Sequence, residues 1–182
     1  MLTAKQQGVL RGMLAGVVIT LLALGFSILS PSAALLPEPD VAAALKQALT
    51  WDALLVVTLA LNIALLARHR FFTPEDIDGG GLTEGTPRAQ ILQSTLQNTL
   101  EQMVLAFAAH QIWAAVMPRG WQGAIPAAAV LFIVGRILFW RGYARGAPAR
   151  ALGFALTFYP TLAMLLAIGA RLAWGNAAEA AA

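Results

Sequence analysis

The stretch MLAGVVITLLALGFSILS, residues 13–30, is an uninterrupted run of uncharged and mostly apolar residues. A helix needs about 20 mostly apolar residues to cross a hydrocarbon core of about 30 Å. No charge interrupts the sequence between Arg11 and Glu38, so the apolar segment can extend beyond the run quoted. The sequence therefore predicts a first transmembrane helix over Met13 to Ser30.

The composition of the whole chain agrees with a membrane location. Hydrophobic residues make up 59% of its 182 residues, charged residues make up 12%, and the mean hydropathy is +0.70. Soluble domains are typically about 45–50% apolar and about 25% charged. The absence of cysteine excludes disulfides, thiolate metal sites and a cysteine nucleophile within the chain, and two histidines are too few for a typical zinc site. We expect the lipid bilayer as a partner, no nucleic acid and no metal.

Four more segments are long and apolar enough to cross the membrane as helices. These predicted spans are residues 52–68 with the apolar residues before them, 96–117, 120–140 and 151–173. None shows the strict alternation of a membrane β-strand. The predicted fold class is therefore all-α integral membrane, with five spans.

The distribution of basic residues predicts the orientation of the chain, because Lys and Arg concentrate in cytoplasmic loops. With five spans, nine of the twelve lie on one side and only Lys46, Arg119 and Arg171 lie on the other. We therefore predict a multi-pass protein of a bacterial inner membrane with a cytoplasmic amino terminus. The alternative for the first span is a signal peptide, with small residues from Ser32 to Ala34. Its cleavage would leave four spans with the same orientation.

The segment HRFFTPEDIDGGGLTEGTPRAQ, residues 69–90, connects spans two and three and is rich in Gly, Thr, Pro and acids. Asp76 and Asp78 resemble the start of a calcium-binding loop, but Gly80 and Pro87 stand where further ligands are required. The triple glycine lacks the Lys that follows in a phosphate-binding loop. The composition predicts an exposed, flexible cytoplasmic connector.

The third span carries an organised polar face at its cytoplasmic end. At about 100° per residue its polar side chains fall within an arc of about 140°. They are Gln90, Gln93, Ser94, Gln97, Asn98 and Glu101. An intramembrane carboxylate costs about 2.5–3.5 kcal/mol on insertion scales, so Glu101 requires a cationic or hydrogen-bonding partner. His110 points to the opposite side of the helix, where we expect a packing or interhelical hydrogen-bonding role.

Candidate partners for Glu101 lie in GRILFWRGYARGAPARALGF, residues 135–154, which carries four arginines at the same predicted membrane face. Arg136, Phe139 and Tyr143 form one stripe of a helix end, and Arg150 opens the fifth span. Two interpretations remain open. In the first, Glu101 and one arginine form a structural interhelical pair while the others set orientation and contact anionic lipids. In the second, these groups bind a small zwitterionic or anionic ligand.

The motif LQNTLEQ, residues 96–102, together with the segment 135–154, resembles the MAPEG family, the membrane-associated proteins in eicosanoid and glutathione metabolism. The similarity runs from about Trp51 to Trp174. It implies a four-helix bundle made of spans two to five, homotrimers, and glutathione bound between subunits. The implied organisation is an additional amino-terminal transmembrane helix in residues 1–36, a MAPEG-like domain in 41–175 and a short tail in 176–182.

The resemblance also implies roles for individual residues. Arg150 resembles the catalytic arginine that holds the glutathione thiol as a thiolate. The residues that resemble ligand contacts are Arg68, Asn98, Glu101, Arg136 and Tyr143. The implied function is a membrane glutathione transferase or peroxidase, with glutathione as co-substrate and a lipophilic electrophile arriving from the bilayer.

The chain departs from the glutathione-using members at three positions. Ser94 replaces an arginine one turn before Asn98, Phe139 stands where some members have a tyrosine, and Gln102 replaces a tyrosine of some branches. A hydroxyl does not replace a bidentate charged contact. The alternative function is therefore a non-catalytic ligand-binding or scaffold membrane protein of the same fold. An ion pathway through Glu101 ranks lower, because no second intramembrane acid or base shares its face.

Overall fold

The computed structural model describes residues 1–30 and 40–180, and this part of the chain folds into five helices. They are α1 (Ala4–Leu29), α2 (Val41–Phe72), α3 (Pro87–Val116), α4 (Ala124–Tyr143) and α5 (Ala147–Ala180). Each helix coincides with most or all of one of the five predicted spans, in the predicted order, which confirms the all-α fold class. The predicted domain boundary at residues 36–41 lies mostly outside the described residues. The small residues 32–34, which suggested a signal peptide, also lie outside them. The helix α5 continues to Ala180, into the segment predicted as a tail.

Side-chain caps explain why the first three helices begin before the predicted spans. Thr3 and Gln6 form a reciprocal capping box at α1, and the Asp40 carboxylate accepts a hydrogen bond from the backbone N–H of Ala43 at 2.7 Å. Thr86 caps α3, and Pro87 occupies the first turn, where its missing N–H costs nothing. Apolar periodicity does not extend to these polar starts, so the hydrophobic runs alone underestimate the helices.

Four of the helices, α1, α2, α4 and α5, are long and apolar enough to cross a membrane. The helix α3 does not meet the same requirement of length and hydropathy, because its first half carries the polar face. It nevertheless runs antiparallel beside α2, since the Asp52–His110 contact lies far along both helices from the Arg70–Gln93 hydrogen bond. With 30 residues it is about 45 Å long at 1.5 Å per residue. We expect it to cross the bilayer together with α2.

A buried polar group joins α2 to α3 about 30 Å along α2 from its carboxyl-terminal end at Phe72. His110 Nδ1 lies 2.5 Å from Asp52 Oδ1, and Gln111 Nε2 donates to Asp52 Oδ2 at 2.7 Å. Asp52 and His110 are each 1% exposed. The predicted interhelical hydrogen-bonding role of His110 is therefore confirmed. A buried pair of this kind fixes the register of two helices that otherwise pack through apolar side chains.

The amino-terminal helix α1 packs against α5 through three glycines spaced four residues apart. A Cβ atom added to Gly8 would lie 2.9 Å from Cβ of Pro148, and one added to Gly12 would lie 2.9 Å from the Leu152 backbone nitrogen. A Cβ on Gly16 would collide with Ala155. Small residues at this spacing let membrane helices approach until their backbones touch. The sequence predicts the helix α1 but not the surface of α5 against which it packs.

We expect Gly12→Leu to displace α1 from α5, because the added side chain meets backbone atoms that cannot move aside. Overpacking of this kind typically costs about 1–3 kcal/mol. The matched control is Gly25→Leu, since a Cβ at Gly25 meets no atom within 4 Å. Thermal unfolding in detergent, followed by circular dichroism, should show a lower midpoint for Gly12→Leu alone. Equal unfolding midpoints for the two variants would contradict the close packing of α1 against α5 at Gly12.

Candidate functional site

The guanidinium of Arg136 connects three helices in the interior of the bundle. Its Nη1 donates to Asn98 Oδ1 of α3 at 2.8 Å, and its Nη2 donates to Thr157 Oγ1 of α5 at 2.7 Å. The residue is 0% exposed, and its Nε has no partner in the described part of the chain. Arg136 and Asn98, both predicted as ligand contacts, are thus brought together. Within one chain they bind each other and position α3 against α4 and α5.

Two aromatic rings lie between two arginines along the end of α4 and the start of α5. The Arg136 guanidinium lies 4.4 Å from the Phe139 ring centroid, and the Phe139 and Tyr143 rings meet edge to face at 5.3 Å. The Arg150 guanidinium lies 4.2 Å from the Tyr143 ring centroid. The predicted stripe of Arg136, Phe139 and Tyr143 is confirmed, and the structure adds Arg150 at its outer end.

The half-buried Arg150 borders a groove of about 320 Å³ between α1, α4 and α5. The walls are otherwise mostly apolar and include Val9, Met13, Phe139 and Phe154. No carboxylate of residues 1–30 or 40–180 forms an ion pair with Arg150. The guanidinium is therefore available to an anionic group that enters the groove, and the apolar walls suit a lipophilic molecule.

Glu101 lies on the exposed side of α3. Its carboxylate accepts one hydrogen bond, from Gln97 Nε2 at 2.9 Å, and it pairs with no arginine of the described chain. The expected structural pair between Glu101 and an arginine is therefore not formed within one chain. Arg150 occupies a groove that Glu101 does not line, so one chain does not assemble both groups into a single pocket. Gln90, Gln93, Ser94 and Gln97 share the exposed polar face with Glu101.

Arg68, the remaining predicted ligand contact, is exposed near the end of α2. It lines a cleft of about 240 Å³ together with Arg88 of α3. In the described residues, neither arginine forms a hydrogen bond with Arg136, Asn98 or Arg150. The structure thus places Arg68 in a separate cleft, apart from the side chains of Arg136, Phe139, Tyr143 and Arg150.

The loop between α2 and α3 is mostly exposed, as predicted, and it is folded around the buried Asp76. Asp76 is 1% exposed, and its carboxylate accepts hydrogen bonds from the Thr86 backbone N–H at 2.8 Å and from the Thr86 hydroxyl at 2.6 Å. His69 Nε2 lies 2.9 Å from the same carboxylate. With both oxygens occupied, Asp76 binds within the loop. No cluster of His, Asp and Glu in the described residues could hold a metal ion.

The Thr86 hydrogen bonds, and to a smaller degree His69, hold the pKa of the Asp76 carboxyl below its ordinary value of 3.8. The folded loop therefore gains stability from the ionised carboxylate above pH 3.8 and loses it as the pH falls below that value through the folded pKa.

This linkage predicts that acid releases the loop. A spin label on a single cysteine introduced at the exposed Leu82 should become mobile as the pH falls below 3.8 through the lowered pKa of Asp76, while staying ordered at neutral pH. In Asp76→Asn the label should be mobile at neutral pH, because a carboxamide replaces one acceptor oxygen by a donor. The chain contains no other cysteine, so labelling is specific. A label with the same mobility at pH 7 in both proteins would contradict the role of Asp76.

Sequence reasoning did not identify three residues that hold the site together. Thr157 accepts the Arg136 hydrogen bond, Asp52 holds His110, and Thr86 binds Asp76. An isolated polar residue within an apolar span, such as Thr157, is the signal that could have identified the first. The partners of Asp52 and Thr86 depend on how the helices and the loop pack together. The spacing of residues along one helix does not predict that packing.

Comparison with known proteins agrees with this architecture. A model of the MAPEG family matches residues 48–170, which is about two thirds of the chain and covers α2 to α4 and most of α5. The match contains Asn98, Glu101, Arg136, Tyr143 and Arg150, whereas α1 lies outside it. No significant match to a curated protein or to a solved structure was found. The chain is a member of the MAPEG family and, with its four apolar helices, an integral membrane protein.

Proposed function

We propose that this protein is a glutathione-dependent transferase or peroxidase that acts on lipophilic electrophiles dissolved in the bilayer. The observation that carries the proposal is the half-buried Arg150 guanidinium, which stacks on Tyr143 and forms no ion pair in the described chain. A free thiol has a pKa near 8.5, and a nearby cation in a partly dry site lowers it. Arg150 would therefore hold the glutathione sulfur as the thiolate, which is the nucleophilic form.

The apolar groove beside Arg150 supports a lipophilic second substrate. Val9, Met13 and Phe154 line it, and the helices that form it are apolar enough to lie in the membrane. A molecule entering from the bilayer would reach the guanidinium without crossing water. In the transferase reaction, the thiolate gives its electron pair to an electrophilic carbon and a sulfur–carbon bond forms. The electrophile's leaving group departs with the electron pair of the bond that breaks, or, in an addition to an activated double bond, the π bond breaks and the acceptor takes up a proton. In the peroxidase reaction, two thiols are oxidised to a disulfide while the peroxide is reduced to an alcohol and water.

The exposed polar face of α3 supports a homotrimer with sites completed between subunits. Glu101 and its polar neighbours would face lipid in a single chain, at a cost that membrane proteins avoid by turning such residues toward a protein interface. Glutathione carries two carboxylates and an amine. Arg150 suits its anionic groups, and the exposed Glu101 of a second subunit would suit its amine.

The basic residues support an orientation with the site at the cytoplasmic side. Arg136, two turns before the end of α4, and Arg150, in the first turn of α5, belong to the side that carries nine of the twelve Lys and Arg residues. The amino terminus would then be cytoplasmic, and the protein would lie in a bacterial inner membrane.

The second candidate is a non-catalytic ligand-binding or scaffold protein. It is favoured by Ser94, an exposed hydroxyl where glutathione-using relatives are expected to carry an arginine, and by Arg136, whose terminal nitrogens are already bound to Asn98 and Thr157. Both observations reduce the number of cations left for the carboxylates of glutathione.

Calorimetric titration of the detergent-purified protein with glutathione separates the two candidates. We expect saturable binding in the native sequence, and weaker binding by roughly tenfold or more in Arg150→Gln and in Glu101→Gln, because each loses one charge-assisted contact. Arg145→Gln is the matched control, since Arg145 is exposed and bonds only to the Arg141 carbonyl. Native protein without saturable binding would eliminate the glutathione-dependent enzyme.

A further inference from the structure

Two guanidiniums from different helices meet at a cleft that the proposed reaction does not use. Arg68 near the end of α2 and Arg88 in the first turn of α3 line the same space of about 240 Å³. No acidic side chain lines it. Within residues 1–30 and 40–180, neither arginine forms an ion pair or a side-chain hydrogen bond. The cleft therefore carries two positive charges that the described chain leaves uncompensated.

The third basic residue at this cleft is already engaged. His69 lines the space, but its Nε2 lies 2.9 Å from the Asp76 carboxylate and 3.2 Å from the Thr86 hydroxyl. The nearest buried acid, Asp76, is thus directed into the loop, where Thr86 and His69 occupy its oxygens. It does not neutralise Arg68 or Arg88.

The remaining walls of the cleft are largely apolar and lie where a bilayer has its headgroups. Leu65, Phe72 and Leu92 line it beside the two arginines. The helix α2 has 32 residues, whereas about 20 suffice for the hydrocarbon core, so its last turns reach the headgroup region. Phe71 and Phe72 are strongly exposed there, which is the usual position of aromatic anchors.

We infer that the Arg68–Arg88 cleft binds the phosphate of one anionic phospholipid, with its acyl chains against Leu65 and Leu92. Two guanidiniums can each bind phosphate oxygens in a bidentate manner, and basic pockets between membrane helices on the cytoplasmic side are suited to such headgroups. The apolar walls favour a lipid over free phosphate, because they offer an inorganic ion no contact. This site is separate from the proposed glutathione site.

Native mass spectrometry of the detergent-purified protein, titrated with phosphatidylglycerol or phosphatidylcholine, tests the inference. We expect saturable retention of phosphatidylglycerol and much weaker retention of phosphatidylcholine. The double variant Arg68→Gln and Arg88→Gln should retain phosphatidylglycerol about tenfold or more weakly. The control double variant, Arg141→Gln and Arg145→Gln, removes two exposed arginines of the same membrane side and should retain it as the native protein does.

Three results would overturn the inference. Equal losses in the two double variants would indicate general charge attraction. Displacement of phosphatidylglycerol by an equal concentration of inorganic phosphate would indicate a simple anion site. Loss of glutathione binding in the Arg68 and Arg88 variant, with lipid retention unchanged, would return Arg68 to the glutathione site. Unfolding midpoints of both double variants should equal that of the native protein, since all four side chains are exposed.

Discussion

Replacing Gly153 by leucine is expected to prevent α4 and α5 from packing and to leave no stably folded protein. A Cβ at Gly153 would collide with the Phe139 backbone nitrogen and would lie 2.7 Å from the Gly135 carbonyl oxygen. These are backbone atoms of a packed helix, so the neighbour cannot rotate away. Overpacking usually costs about 1–3 kcal/mol, and we expect the upper end or more here. Separation of α4 from α5 would also break the Arg136–Thr157 hydrogen bond.

The matched control lies on the same helix. Gly169→Leu adds an identical side chain to α5 at a position where a Cβ meets no atom within 4 Å. Size-exclusion chromatography and thermal unfolding in detergent should give native behaviour for Gly169→Leu and aggregated or unfolded protein for Gly153→Leu. Two equally stable variants would show that α4 and α5 do not meet at Gly153.

The second large effect is expected for Arg150→Gln on the pH dependence of glutathione-dependent turnover. A single nearby cation lowers the pKa of an anionic group by about 1–3 units, so the bound thiol would be largely ionised at pH 7 only when Arg150 is present. Without it, the thiol returns toward a pKa near 8.5 and the thiolate fraction at pH 7 falls roughly 10- to 30-fold. The rate of the variant should rise about tenfold per pH unit from pH 6 to 8, since the thiolate fraction rises in that way.

Two further variants serve as comparisons. Arg150→Lys tests the role of the charge, and Arg145→Gln is the control. A lysine keeps the charge but loses the planar stacking on Tyr143, so its pH profile should lie between those of the native protein and Arg150→Gln. Arg145→Gln should keep the native profile. If Arg150→Gln lowers the rate equally at every pH, Arg150 contributes to binding or structure and the thiolate role is wrong.

The helical architecture could be predicted because lipid imposes strong constraints on sequence. Uncharged runs such as residues 13–30 locate the spans, and the six-residue polar face of α3 follows from helical periodicity. The stripe of Arg136, Phe139 and Tyr143 was likewise predictable, because residues three and seven apart share one side of a helix. The first residues of α2 and α3 could not be predicted, because the polar residues that cap them, Asp40 and Thr86, carry no hydrophobic signal.

The partners of the site residues were less accessible to sequence reasoning. Helical periodicity places Arg136 on one stripe with Phe139 and Tyr143. Only the packing of three helices shows that Asn98 and Thr157 bind it. The composition of the α2–α3 loop predicts flexibility, yet its Asp76 is buried because Thr86 and His69 supply hydrogen bonds that composition cannot reveal. Glu101 forms no ion pair with an arginine in the described part of the chain, because its side chain lies on the exposed face of α3.

Ultraviolet difference spectroscopy on the purified protein with glutathione tests the central claim most directly, because thiolate and thiol absorb differently. Near pH 7, the account predicts a saturable thiolate signal in the native protein, and no such signal in Arg150→Gln at matched glutathione occupancy. Saturable binding of glutathione that leaves the sulfur protonated in the native protein would contradict the account.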